Sequence, residues 1–274
     1  MNEADEFNIL SQFILNETGI VVPESNINAT KRFLKSKLEN LENSMDRYIQ
    51  IIKKSETEFY QLINAITINE TYFFREEKYF KLLDSIILPE MRERYSTPPT
   101  VWSGAASTGE EAISLSLLIN KFWNSSNYIN RPVIATDIDI NSMNQINKNI
   151  YTPNSFREDG KDFHYLLHNC STTDGKNFSL NKKILDSIHT VKLNLIIDDY
   201  KPLFKTKPKI IFLCNVLIYM EPEIRELIID KAVEVLDDNG YLFVSSSNTA
   251  TTSHPKLELL QNGKSFYFIK RGNS

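Results

Sequence analysis

Cysteine is nearly absent: Cys170 and Cys214 are the only two, far apart in the chain. That excludes a disulfide framework and any CxxC zinc or redox site. An excess of basic residues is missing as well. Lys and Arg number 31 against 35 Asp and Glu, a formal net charge of −4, so the strongly positive field of a protein built to grip nucleic-acid phosphates is not there. Apolar runs are short. Ile210-Ile211-Phe212-Leu213-Cys214 is typical of the longest, far below the roughly 18 residues of a membrane span. The first residues, MNEADEFN, are acidic and lack a cationic start followed by an apolar block, so no secretory signal is expected and the expected address is the cytoplasm. Glycine is scarce too, 8 in 274 residues, about 3% against a usual ~7%. A chain this sparing places each glycine where backbone geometry demands it. Two of the eight, Gly104 and Gly109, fall in one six-residue window.

What remains is an ordinary globular composition, 41% hydrophobic and 24% charged, with length for one large domain or a small one plus a medium one. The first seventy or so residues read as helices. Phe7, Leu10, Ile14 and Leu15 recur at helical spacing, as do Phe33, Leu34, Leu38 and Leu41 after a break at Pro23-Glu24-Ser25-Asn26. Tyr48, Ile51 and Ile52 lead on toward Phe59, Leu62 and Ile63. A further helix is expected over 76–95. From residue 100 short apolar runs alternate with amphipathic ones: strands near 100–103, 132–136, 209–214 and 241–245, helices over 110–122, 141–150 and 222–236. This alternation predicts a parallel, doubly wound sheet, with 265–269 as a last, edge strand. The polar stretch 151–190 is too long for a plain connection and reads as an inserted small antiparallel subdomain.

Val101-Trp102-Ser103-Gly104-Ala105-Ala106-Ser107-Thr108-Gly109-Glu110-Glu111 is a strand, a small-residue loop and a helix start. Open α/β sheets bind ligands at such strand ends. A phosphate-cradling loop needs Gly-Lys-Ser/Thr where this chain has Gly-Glu-Glu, and a dinucleotide fingerprint needs a middle glycine that is missing. S-adenosylmethionine carries a sulfonium and an ammonium and no phosphate, so nearby carboxylates suit it. The window alone also fits a plain strand–helix turn. Asp137 ends the next strand, where a carboxylate can accept hydrogen bonds from both ribose hydroxyls of an adenosyl group. Asp139 or Asn141 is expected to cap the following helix.

Several separated motifs converge on one family. Asn69-Glu70-Thr71-Tyr72-Phe73-Phe74-Arg75, the Gly104–Glu111 window, Ala135-Thr136-Asp137-Ile138-Asp139 and Cys214-Asn215-Val216-Leu217-Ile218-Tyr219 together resemble the CheR-type chemotaxis receptor methyltransferases. The likeness extends from the N-terminal helices to about Asn248. It implies an α/β fold with a Rossmann-like class I methyltransferase sheet and an inserted small β subdomain, preceded by an all-helical N-terminal domain. On that reading residues 1–75 are the helical domain and linker, and 76–274 the catalytic domain. The implied cofactor is S-adenosylmethionine, leaving as S-adenosylhomocysteine, with no metal.

The implied reaction is methyl esterification of glutamates on a chemoreceptor's cytoplasmic helical bundle. By resemblance, Asn69, Thr71 and Arg75 close over the cofactor, with Gly104 in the loop beneath it. Glu111 and Asp137 serve its amino-acid and ribose portions, Asn194 and Leu195 flank the adenine, Asn215 lies beside the methionine part, and Cys214 is a further cofactor-binding position. Arg75 and Tyr219 are the implied catalytic pair. The chain departs from the family pattern at Cys214 (commonly Arg), Ala112-Ile113 (commonly Pro-Tyr) and Asn248 (commonly Glu). These departures motivate a second reading, a non-catalytic cofactor-binding sensor or scaffold.

The chemistry suits the chain's few candidate bases. A glutamate side chain ordinarily titrates near pH 4.3, so it is ionised at neutral pH and needs no general base. Alignment is then the task. Arg75 can hold a carboxylate in bidentate fashion while Tyr219 orients its second oxygen. Lys31, Arg32, Lys35 and Lys37 on a predicted helix can steer toward an acidic partner. His164 and His168 have helical spacing, but no further metal ligand is evident in the sequence.

Overall fold

The structure, a computed structural model, describes residues 3–42, 44–67, 70–123 and 131–272. Four helices come first: α1 (Glu3–Thr18), α2 (Ile27–Leu38), α3 (Met45–Lys54) and α4 (Glu56–Ile66). Their starts follow local chemistry. The Ser44 hydroxyl accepts from the Arg47 amide at the head of α3, and Ser55 from the Glu58 amide at the head of α4, the latter a Ser-x-x-Glu capping sequence. The helix expected over 76–95 is α5 (Glu77–Leu82) running through a π-helical turn, Leu83–Ile87, into α6 (Leu88–Arg94).

The α/β portion comprises β1 (Val101–Gly104), α7 (Glu110–Trp123), β2 (Val133–Asp137) and α8 (Ile140–Lys148), then α9 (His164–Asn169), β3 (Ser171–Thr173), β4 (Phe178–Leu180), α10 (Lys182–Asp186), β5 (Ile188–Lys192), β6 (Ile210–Leu213), α11 (Pro222–Val235), β7 (Tyr241–Val244), α12 (Ser246–Thr249), β8 (Leu257–Asn262) and β9 (Ser265–Lys270). Seven strands form one sheet in the order β5-β2-β1-β6-β7-β9-β8, while β3 and β4 pair separately. β1, β2, β5, β6 and β7 run parallel; β9 is antiparallel to both β7 and β8. The Rossmann-like sheet and the small antiparallel insertion are thus both present. One expectation is corrected. The strand near 265–269 is not the edge: it lies between β7 and β8, because a tight turn at Gly263 (φ 55) folds β8 back onto it, pairing Asn262 with Ser265. In β8 Glu258, Leu259, Gln261 and Asn262 are exposed, so its apolar content did not announce a strand.

Both sheet faces are covered. Val101, Val133, Ile210, Phe212 and Phe243 point to a cluster with α5, α6, α7 and the insertion. Their alternates, Trp102, Ile134, Ile211, Leu213 and Leu242, point to a second cluster with α11 and residues of α1 to α4. Period-two alternation onto two buried faces explains why these strands read as continuous apolar runs.

Candidate cofactor cleft

The strand order reverses between β1 and β6, and a cleft opens over the carboxyl ends of the strands around that point, as open α/β sheets dictate. Ala105, Ala106 and Ser107 after β1, Asp137 and Ile138 at the end of β2, Leu193 to Leu195 after β5, and Cys214 to Val216 after β6 form its walls. The linker adds Thr71 and Arg75, and Tyr219 stands at the rim in a 3-10 turn, Leu217–Tyr219.

The loop after β1 is held in an unusual backbone shape. Ala105 (φ 60), Ser107 (φ 51) and Gly109 (φ 97) are all left-handed, which costs non-glycine residues roughly 1–2 kcal/mol each. Three hydrogen bonds offset that cost: Ala106 N donates to Thr136 O (2.9 Å), Gly109 N to Ala106 O (2.9 Å) and Ser107 N to Asp137 Oδ2 (2.8 Å). Asp137 Oδ1 accepts from the Asp139 amide at 2.9 Å. Asp139 itself caps α8, accepting from Asn141 N (2.9 Å) and the Ser142 hydroxyl (2.7 Å), and also takes the Asn64 amide group of α4 at 2.8 Å.

Glu111 Oε1 accepts from the Ser103 hydroxyl at 2.6 Å. Burial pushes the Glu111 carboxyl up to about 7 and the Asp137 carboxyl up to about 6, the hydrogen bonds each accepts opposing the rise. Among the described residues neither has a cation within ion-pair distance. The Ser107 hydroxyl, also on the cleft wall, is buried with no hydrogen-bond partner among them. Two part-buried carboxylates with no ion-pair partner among the described residues, Glu111 feeling only the more distant Arg75 charge, and an unsatisfied hydroxyl, among Ile138, Leu193, Leu195 and Val216, suit a cationic nucleoside better than a phosphate. When bound, S-adenosylmethionine supplies a methyl group on an already activated sulfonium. Asp137, Glu111 and Ser107 are the polar groups of the cleft wall that would hold it.

Most sequence-predicted positions line this one cleft: Thr71, Arg75, Glu111, Asp137, Asn194, Leu195, Cys214, Asn215 and Tyr219. Gly104 is set behind its wall, where a Cβ would come within 2.5 Å of Leu213 Cδ2; the glycine serves close packing of β1 on β6. Asn69 lies outside the described residues. Asn194 is committed to structure: its Nδ2 donates to Glu17 O at 2.8 Å and its Oδ1 accepts from Ile196 N at 3.0 Å. Cys214 is a buried thiol, raised well above its ordinary value by burial and then by the Glu111 charge. Asn215 adopts φ 59, and its amide donates to the Ser245 hydroxyl.

Sequence reasoning missed Ile138, Leu193 and Val216, which adjacency to the strand ends could have flagged. It also missed Thr18 and Ile63 of α1 and α4 and Ile20 and Thr67 just beyond their ends, for which no local signal exists.

Residues 69–266 match the family model described as CheR methyltransferase, SAM binding domain. The chain belongs to the CheR methyltransferase family. Its cofactor is S-adenosylmethionine, as the matched domain requires. Similar proteins include a chemotaxis protein methyltransferase of Borreliella burgdorferi, 29% identical over 89% of this chain and 88% of that one. Another, from Escherichia coli, is 25% identical over 97% of this chain and 91% of that one. Among solved structures, magnesium protoporphyrin IX methyltransferase from Synechocystis with bound SAM aligns at a TM-score of 0.37 and 11% identity, over 70% of this chain and 79% of that one. Among the described residues of this CheR-family chain, no helix is long and apolar enough to cross a membrane.

Proposed function

We propose that this CheR-family methyltransferase transfers a methyl group from S-adenosylmethionine to glutamate side chains of chemoreceptors, forming methyl esters on their cytoplasmic helical bundles. The observation that carries the reading is the polarity of the cleft: Asp137 and Glu111 inside, Arg75 and Tyr219 at the rim. The interior suits a cationic donor, and the rim suits an anionic acceptor. Arg75 is half-buried; burial raises the Tyr219 phenol above its ordinary value, and the nearby Arg75 charge opposes that rise. A guanidinium there can grip one face of a glutamate carboxylate while the phenol donates to an oxygen, leaving the other oxygen facing the cleft. Asp137 would hold the ribose and Glu111 the ammonium group. No residue is asked to move a proton, because the acceptor is already a carboxylate at neutral pH.

Exposed Arg32 and Lys35 on α2 would meet an acidic receptor surface; Lys37 is engaged by Glu58 at 2.7 Å. The protein would then act in the cytoplasm, as a helical part of residues 1–75 joined to a catalytic part of residues 76–274. Incubation with methyl-labelled cofactor and a chemoreceptor cytoplasmic fragment is expected to give base-labile label on glutamates. Cofactor binding without such label would instead favour the sensor or scaffold reading.

A further inference from the structure

The insertion does more than interrupt the sheet: residues 151–163 lie against the linker that carries Arg75, and Asp159 makes three of the contacts. Its Oδ2 accepts from the Tyr72 hydroxyl at 3.1 Å and the Glu76 amide at 3.0 Å, and its Oδ1 from the Glu77 amide at 3.3 Å. These partners bracket Arg75. The Tyr72 ring lies 5.5 Å from the Arg75 guanidinium, within cation–π range, and Glu76 is the next residue along the chain.

Backbone on both sides of Arg75 is left-handed, with Phe74 at φ 58 and Glu76 at φ 60. Such conformations persist only where the surroundings over-determine them. Phe74 has its own anchors: its amide donates to the Ser114 hydroxyl at 2.9 Å, and its ring stacks on Phe163 at 5.0 Å. Glu76 stands at the head of α5 and makes no side-chain cap bond there, so Asp159 supplies from another segment the acceptor that the first free amides need.

We propose that Asp159 is a positioning residue for methyl transfer: by holding Tyr72 and the amides of Glu76 and Glu77, it fixes the direction in which Arg75 presents its guanidinium to the cleft. The inference rests on the reading of Arg75 given above. Asp159 is exposed, so removing its carboxylate opens no core cavity and leaves the cofactor walls in place.

The test is a double-mutant cycle on methyl incorporation, with labelled S-adenosylmethionine and a chemoreceptor cytoplasmic fragment, comparing wild type, Asp159→Ala, Arg75→Ala and the pair. Asp159→Ala is expected to lower kcat about tenfold with KM for the cofactor within about twofold, the signature of a misaimed group. In the Arg75→Ala background the same change is expected to cost less than about twofold. Asp159→Asn, which keeps one acceptor oxygen, is expected to fall between wild type and Asp159→Ala. Wild-type kcat in Asp159→Ala, or losses that simply multiply in the pair, overturn the inference and leave Arg75 in its role. Wild-type kcat in Arg75→Ala overturns the reading of Arg75, and this inference with it. Should Asp159→Ala not fold, Tyr72→Phe takes its place in the cycle, with an expected loss of about threefold and the same overturning results.

Discussion

Burial opposes ionisation at Asp137 and Glu111, so on the proposed reading of the site the cleft couples protons to its cationic ligand. Both carboxyls stand above the value near 4 of an unfolded chain, at about 6 and about 7. A raised carboxyl contributes stability in its protonated form, present below the unfolded value and lost as the pH rises through the folded one. The cofactor-free protein thus loses this contribution between about pH 4 and about pH 7. A sulfonium-bearing ligand reverses the sign, because it favours the ionised carboxylates and expels their protons. The increase in melting temperature produced by a fixed cofactor concentration is expected to grow from about pH 5.5 to about pH 8. An increase that stays flat across that range would remove these two groups from the binding linkage. Asp137→Ala should weaken cofactor binding by roughly 1.5–3 kcal/mol, the worth of a charge-assisted hydrogen bond. Calorimetry that returns the wild-type affinity would take Asp137 out of the site.

Among the elements, the linker and the insertion act as a pair. The Phe73 amide donates to Ser155 O at 2.9 Å, and the Ser155 hydroxyl donates to Glu110 Oε1 at 2.9 Å, tying linker and insertion to the head of α7. Gly160 permits the close approach. At φ 93 it takes a conformation that disfavours other residues, and a Cβ there would meet Phe73 O at 2.7 Å and Phe74 Cβ at 2.8 Å. Gly160→Ala is therefore expected to destabilise the protein by about 1–3 kcal/mol and to lower turnover, read by urea denaturation and methyl incorporation. Unchanged midpoint and kcat would show that the insertion yields without disturbing the linker. The linker motif was legible in the sequence; its backrest was not, because the insertion is polar and carries no periodicity to register it against anything.

Over the whole molecule, the two apolar clusters lie on opposite faces of one sheet, and the N-terminal helices supply much of one of them. Trp102 sits in the cluster shared with α1 to α4, and Trp123 in the other. Each tryptophan can report on one face after replacement of the other by Phe. Shared strands make a single cooperative transition the expected outcome, with coincident denaturation midpoints for the two reporters and for circular dichroism. Separate midpoints would show that residues 1–75 melt as a unit of their own.

The alternating pattern of residues 100–270 determined the sheet, the insertion and the acids at the strand ends, because strand periodicity and the side on which loops emerge are short-range properties. Tertiary structure alone decided that β9 lies inside the sheet, that Gly104 serves packing and that Asn194 ties down the end of α1. It also brought Thr18, Ile20, Ile63 and Thr67 to the cleft and Asp159 to Arg75. Each of these depends on where distant segments dock, and docking is the sum of many weak contacts that leave no mark on neighbouring residues.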